Sequence, residues 1–207
     1  MELTKTYTNT VILDGRRYVE VGNLERIYSV GTEIHFTDNI NDDTIESLIK
    51  ETTHVITENI KSGGHRSKDS KLNITFIVDS PGGSVTAVLK FVDFIRMAKE
   101  KHPNVEFTSI ITGMVASAGT IMCAVADHRY MTKHAFAMIH ELATGNVGKY
   151  TQLISHADFI TTMHNTLVKI YQKVCGKSVE EIEALMMRET WYSADKYLQH
   201  GFVDELR

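Results

Sequence analysis

Cysteine is almost missing from this chain: Cys123 and Cys175 are the two it has, and neither has metal or redox spacing. That pattern fits a reducing compartment with both thiols free. An excess of charge of either sign is missing too. A net charge of -4 and a pI near 6.2 leave no electrostatic footprint for nucleic acid. No apolar run approaches the length of a membrane span, and the start, Met1 to Thr6, is polar with no apolar h-region. The expectation is a cytoplasmic, soluble protein with neither a nucleic-acid nor a membrane partner. There is no internal repeat and no linker long enough to separate domains. What is present is a 43% hydrophobic composition over 207 residues, enough for one domain with its own core.

Along the chain, residues 1–23 alternate loosely and read as a hairpin or a mobile arm. Arg26 to Val30 and Glu33 to Phe36 read as short strands. Asn41-Asp42-Asp43 offers an N-cap for a helix with Ile45, Leu48, Ile49, Val55 and Ile56 on one side. Residues 61–71 are polar, glycine-bearing and charged, a surface insertion. Leu72 to Val78 is a nearly continuous apolar run, the pattern of a strand buried on both faces. A helix from Val85, a strand over Val105 to Ile111, a short helix over Thr120 to Ala126, and strands at Arg129 to Met131 and Ala135 to Ile139 follow. This order argues for an α/β fold with a largely parallel sheet. A long helix from about Lys149 to Val174 is stopped by Gly176, and Ser178 with Glu181 forms a capping box for the next.

Two glycine-bearing turns follow two buried strands, at 80–83 and 113–119. A parallel sheet places such turns at one edge. Ser117, set among small residues, has the surroundings of a nucleophile lifted out of the backbone. The Gly82 and Ala118 amides are placed to meet an oxyanion beside it. His140 ends an apolar strand 23 residues later and is placed to act as the base.

In combination these blocks resemble a known family. Ser80-Pro81-Gly82-Gly83-Ser84-Val85, Gly113-Met114-Val115-Ala116-Ser117-Ala118-Gly119 and Met138-Ile139-His140 resemble the signature blocks of the Clp protease proteolytic subunit, ClpP, in its order and near its spacing. Tyr192-Ser193-Ala194 and Gly201-Phe202-Val203-Asp204 resemble its tail. The resemblance runs from about Leu72 to Leu206 and more weakly from Arg26 to Ile60. It implies a crotonase-like fold of repeated ββα units with a handle at about 141–175, and residues 1–25 as an N-terminal arm at the axial pore. It implies a serine endopeptidase acting on unfolded polypeptides inside a double heptameric ring, a tetradecamer. A hexameric ATPase of the ClpX or ClpA kind would feed it. No cofactor is implied in the subunit itself, since ATP is used by the partner, and no metal. By position, Ser117 matches the nucleophile, His140 the base, and Gly82 and Ala118 the oxyanion amides. Gly83, Gly145, Asn146 and Val147 match the strands that flank a bound peptide.

The third triad member falls at Glu189, where the family usually has Asp. Glu is one methylene longer, so it reaches His140 only through a shift of roughly an ångström, enough to slow the reaction on the order of a hundredfold. Asp79 stands where Asn is common, and Glu141-Leu142 replaces Gln-Pro. These departures motivate a second expectation, a noncatalytic or weakly active subunit that forms mixed rings with another ClpP. Acyl-CoA chemistry on a crotonase-like fold needs no Ser–His pair, and a Ser/Lys peptidase would need a catalytic Lys in an apolar setting. Asp158 and Asp195 read as solvated helix-surface acids.

Overall fold

The computed structural model describes residues 26–62 and 71–207, and the backbone of two strands, β1 (Thr10–Leu13) and β2 (Arg16–Val19). These two pair antiparallel, with Thr10 opposite Val19. The rest of the arm expected over 1–25 lies outside the described residues. So does most of the insertion expected over 61–71, whose edges are structured: Lys61 ends a helix, Ser62 caps it and Lys71 leads into a strand.

The remaining elements are β3 (Ile27–Val30), β4 (Glu33–Phe36), α1 (Asp42–Lys61), β5 (Leu72–Ser80), α2 (Val85–Lys101), β6 (Val105–Ala116) and α3 (Ala118–Ala124). After them come β7 (His128–Met131), β8 (Phe136–Ile139), α4 (Tyr150–Cys175), α5 (Val179–Met186), β9 (Thr190–Ser193), α6 (Ala194–Gln199) and β10 (Glu205–Leu206). β3–β4–α1 and β7–β8–α4 are ββα units, with β5–α2–β6–α3 between them. The main sheet runs β10-β7-β6-β5-β4-β3 with β8 and β9 branching from β6, parallel except for the antiparallel pairs β3–β4 and β8–β9.

The helix boundaries follow local chemistry. Asn41 Oδ1 accepts from Thr44 N at 3.0 Å, capping α1. Gly176 ends α4 at φ 68, the left-handed region a C′ glycine tolerates. Ser178 and Glu181 bond each other's amides at 3.2 and 2.9 Å. Helices cover a sheet whose inner strand β5 buries Leu72, Ile74, Phe76 and Val78. Phe76 stacks on Phe107 at 5.8 Å and meets Phe91 edge-on at 5.4 Å, at the centre of the core. Truncating a ring packed this way costs about 3–5 kcal/mol.

Three differences from the sequence reading lie near the Ser117 edge or the start of α4, and two of them shape the site. β6 continues past Ile111 to Ala116, so the expected turn over 113–119 narrows to Ser117, and the helix after it is Ala118–Ala124 rather than 120–126. β6 is forked. Thr108–Ile111 pairs with β7, whereas Met114–Ala116 pairs with β8. The switch sits at an irregularity opposite β5, where Val78 pairs Ile111 but Ser80 pairs Val115. Asp79 stabilises it by accepting from Met114 N at 3.1 Å. The third difference is the glycine-bearing stretch 144–148, which forms no strand in this chain. A strand needs an edge to pair with, and among the described residues this segment meets none.

Candidate active site

β5 and β6 run parallel, so their carboxyl ends deliver Ser80-Pro81-Gly82-Gly83 and Ser117 to the same edge. The approach is close enough to demand glycine. A Cβ on Gly82 (φ 92) would lie 2.4 Å from Ala116 O and 2.9 Å from Ser117 Cβ, and one on Gly83 (φ 145) would lie 2.1 Å from Ile40 O. The turn is anchored on its other side. Ile40 N donates to Gly82 O and Ser84 N to Ile40 O, both at 2.8 Å, and the buried Ser80 Oγ donates to Asp38 O at 2.6 Å.

Ser117 has φ 54 and ψ −124, and among the described residues it is the one non-glycine with positive φ. Such a conformation stores on the order of 1–3 kcal/mol and persists where surrounding bonds over-determine it. Ser117 N donates to Met138 O at 2.9 Å, joining the turn to β8. The hydroxyl lies 2.8 Å from His140 Nε2, one residue beyond the end of β8. With Nε2 accepting from the serine, Nδ1 carries the ring proton.

Nδ1 faces Glu189. β8 and β9 are antiparallel with Ile139 opposite Thr190, so the next step of the ladder places His140 opposite Glu189. The separation is 3.9 Å between Nδ1 and Oε1, with the histidine side chain 19% exposed and the glutamate 75%. That is a charge neighbour rather than a hydrogen bond. Asp158 and Asp195 are exposed and lie in no ion pair with His140.

Among the described residues, the Ala118 and Gly83 amides are open at this edge. Ala118 opens α3, where an N–H has no intrahelical acceptor. At the other turn the Gly82 amide, expected as a donor, is engaged by Ser80 Oγ at 3.2 Å. The Gly83 amide meets no acceptor among the described residues. Nothing in the sequence could separate these two glycines, because the difference depends on where the Ser80 hydroxyl points. Of the remaining expected residues, Gly145 has open space around it and Val147 is 98% exposed. Asn146 is exposed in the same unpaired stretch, so these three do not meet the Ser117 edge in this chain.

Burial pushes the Cys123 thiol up, away from thiolate character. Among the described residues no group of three His, Cys, Asp or Glu is placed to hold a metal, and no helix is long and apolar enough to cross a membrane.

The model of the Clp protease family matches residues 32–207. The chain is 35% identical over 135 residues to ATP-dependent Clp protease proteolytic subunit 1 of Chlamydia trachomatis serovar D, covering 63% of this chain and 68% of the relative. It is 34% identical over 144 residues to the ATP-dependent Clp protease proteolytic subunit of Streptococcus pneumoniae (strain Hungary19A-6), covering 68% and 71%.

Proposed function

This chain belongs to the Clp protease family, and we propose that it is a serine endopeptidase whose nucleophile is Ser117 and whose base is His140. The observation that carries the reading is the 2.8 Å contact between His140 Nε2 and the hydroxyl of a positive-φ serine. His140 takes the Ser117 proton as Oγ attacks the peptide carbonyl, then passes it to the leaving amine. The same residues, with water in place of the serine, release the acyl group. The developing oxyanion is met by the Ala118 and Gly83 amides, which replace the expected Gly82–Ala118 pair because the Gly82 N–H is already engaged. Glu189 stabilises the imidazolium by charge across 3.9 Å.

Assembly and partners extend the proposal. The relatives' names describe a proteolytic subunit of an ATP-dependent protease. For this chain that supports heptameric rings stacked as a tetradecamer, fed unfolded polypeptide by a ClpX- or ClpA-like ATPase that consumes the ATP. The first half of α4 supports it from the structure: Tyr150, Leu153, Ile154 and Phe159 are exposed, whereas Leu167, Val168 and Tyr171 in the second half are buried. Pairing with a second chain would give residues 144–148 the strand partner they lack. Gly145, Asn146 and Val147, with Gly83 opposite, would then flank the bound peptide. Two free cysteines suit the cytoplasm.

A fluorophosphonate probe tests the chemistry. The assembled protein is expected to be labelled at Ser117 and to cleave small peptides, and Ser117→Ala to do neither. An assembled wild type that is neither labelled nor active would instead be a noncatalytic ring subunit.

A further inference from the structure

Serine is a favoured N-cap because its hydroxyl accepts from an amide of the first helical turn. Ser117 stands at the N-cap of α3, yet its Oγ lies on His140 and makes no cap bond. The atom that is gripped is its carbonyl oxygen. It accepts from Thr120 N at 3.0 Å and from Thr120 Oγ1 at 2.6 Å. Thr120 Oγ1 is in turn 2.6 Å from the hydroxyl of Tyr171, far along the chain in α4. Thr120 is 0% exposed and Tyr171 3%, so water does not compete for these bonds.

Counting hydrogens fixes the direction of the chain. A carbonyl only accepts, and a threonine hydroxyl has one hydrogen to give. With that hydrogen on the Ser117 carbonyl, Tyr171 donates to Thr120. Burial pushes the Tyr171 phenol up, against a smaller opposing effect of its bond to Thr120, so it stays a donor at working pH. The ring that carries it is held edge-on to Phe202 at 5.7 Å, and Phe202 stacks on Tyr197 at 5.0 Å. The far end of α3 is pinned as well, by Ser109 Oγ donating to Cys123 O at 2.9 Å.

We propose that Thr120 and Tyr171 are positioning residues for Ser117: their hydroxyls hold its peptide in the positive-φ conformation that delivers Oγ to His140. The inference rests on the reading of Ser117 as nucleophile. Its geometric basis is that rotation about N–Cα carries Cβ and the carbonyl carbon together. With the Ser117 amide bonded to Met138 O at 2.9 Å and the carbonyl held by Thr120, φ cannot relax without breaking one of these bonds. Oγ is therefore placed from both sides of its own residue.

The test uses the assembled protein with Thr120→Val, Tyr171→Phe, their combination and Thr120→Ser. Fluorophosphonate acylation, kcat and KM on a small fluorogenic peptide, and hydrogen exchange across residues 113–124 are measured on each. Thr120→Val and Tyr171→Phe are each expected to slow acylation and kcat about 10- to 100-fold, the scale of an ångström-sized misplacement, with KM nearly unchanged. The double variant should be no slower than the slower single one, because one broken link already opens the chain. Thr120→Ser should restore most of the rate, and exchange over 118–121 should quicken in the hydroxyl-deleted variants. Wild-type kcat and acylation in folded Thr120→Val and Tyr171→Phe would overturn the proposal. So would equal loss in Thr120→Ser, which would mean packing and not the hydroxyl. Should Tyr171→Phe fail to fold, the Thr120→Val and Thr120→Ser pair decides alone. A wild type that is not labelled at all overturns the serine reading itself, a signature distinct from labelled wild type with indifferent variants.

Discussion

His140 stands between two oxygens that the chain holds in different ways. On the Nε2 side, Ser117 Oγ is 2.8 Å away, on a residue that directly follows β6, whose carbonyl is bonded and whose amide is bonded to β8. On the Nδ1 side, the Glu189 carboxylate is 3.9 Å away and 75% exposed, just before a four-residue strand that among the described residues pairs with β8 alone. The first oxygen is placed by backbone geometry. The second hangs on a side chain with three rotatable bonds facing solvent. The surroundings of His140 are rigid where the sheet's hydrogen bonds reach them and loose where a side chain must reach alone. Changes on the serine side should therefore be far more damaging than changes on the glutamate side.

The largest expected effect is loss of the couple itself. Ser117→Ala and His140→Ala should each lower kcat on small peptides roughly 10⁴-fold or more, since the pair acts as a unit and removal of either member leaves only oxyanion stabilisation and binding. Next is the wall behind the serine. Gly82→Ala would place a methyl 2.4 Å from Ala116 O and 2.9 Å from Ser117 Cβ at φ 92, so the turn must shift and carry the serine with it. A fall in kcat on the order of a hundredfold, read by single-turnover acylation, is the expected result. An unimpaired Gly82→Ala would mean that the serine side is not rigid, and the contrast would fail.

Glu189→Gln comes third. A buried triad acid that orients its histidine is worth about 10⁴-fold on removal. A solvated charge near 4 Å is worth about 1 kcal/mol, roughly a fivefold change in rate. The measurement is kcat for Glu189→Gln at low and high ionic strength. The expected loss is small and shrinks further in salt, which screens exposed charge. A loss near a thousandfold, insensitive to salt, would show that the carboxylate closes onto Nδ1 during turnover, and the two sides of His140 would then be equals.

The same division decides what the sequence made legible. Features set by neighbours in the chain could be read directly: the Asn41 cap of α1, the Gly176 stop of α4, the Ser178–Glu181 capping box and the buried run of β5. That Ser117 and His140 meet was legible because small residues surround one and an apolar strand precedes the other, and the paired motifs narrowed the choice. β9 was not, since Thr190 to Ser193 is too short to show alternation and runs straight into α6. The fork of β6 depends on a register shift against β5 that no periodicity records. The choice between the Gly82 and Gly83 amides rests on one serine hydroxyl. The Thr120–Tyr171 bond joins residues 51 positions apart, beyond any local pattern.

Asp204 supplies the contrast to Glu189, a carboxylate bonded through both oxygens, and its removal should leave the opposite signature. It accepts from Arg129 N at 2.8 Å and Nε at 3.2 Å and pairs with the same guanidinium through its second oxygen. Arg129 also donates to Val174 O at 3.1 Å, so the group ties β7 and the tail before β10 to the end of α4. Burial by itself would raise the Asp204 pKa. The hydrogen bonds and charge of Arg129 together outweigh it and hold the carboxyl below the usual carboxylate value. The sign follows from that depression: the folded state favours the ionised form, so the contribution is complete above the unfolded value near 3.9 and is lost as pH falls through the lower folded one. Asp204→Asn should therefore lower stability at neutral pH by roughly 1 kcal/mol, a modest figure because the pair is partly solvated. Urea midpoints at pH 7, 5, 4 and 3 should show the gap to wild type narrowing only below about pH 4, with kcat near wild type throughout the folded range. A gap that persisted unchanged at pH 3 would mean that shape rather than charge holds this junction. Asp204 would then differ from Glu189 in where it sits, not in how firmly its oxygens are held.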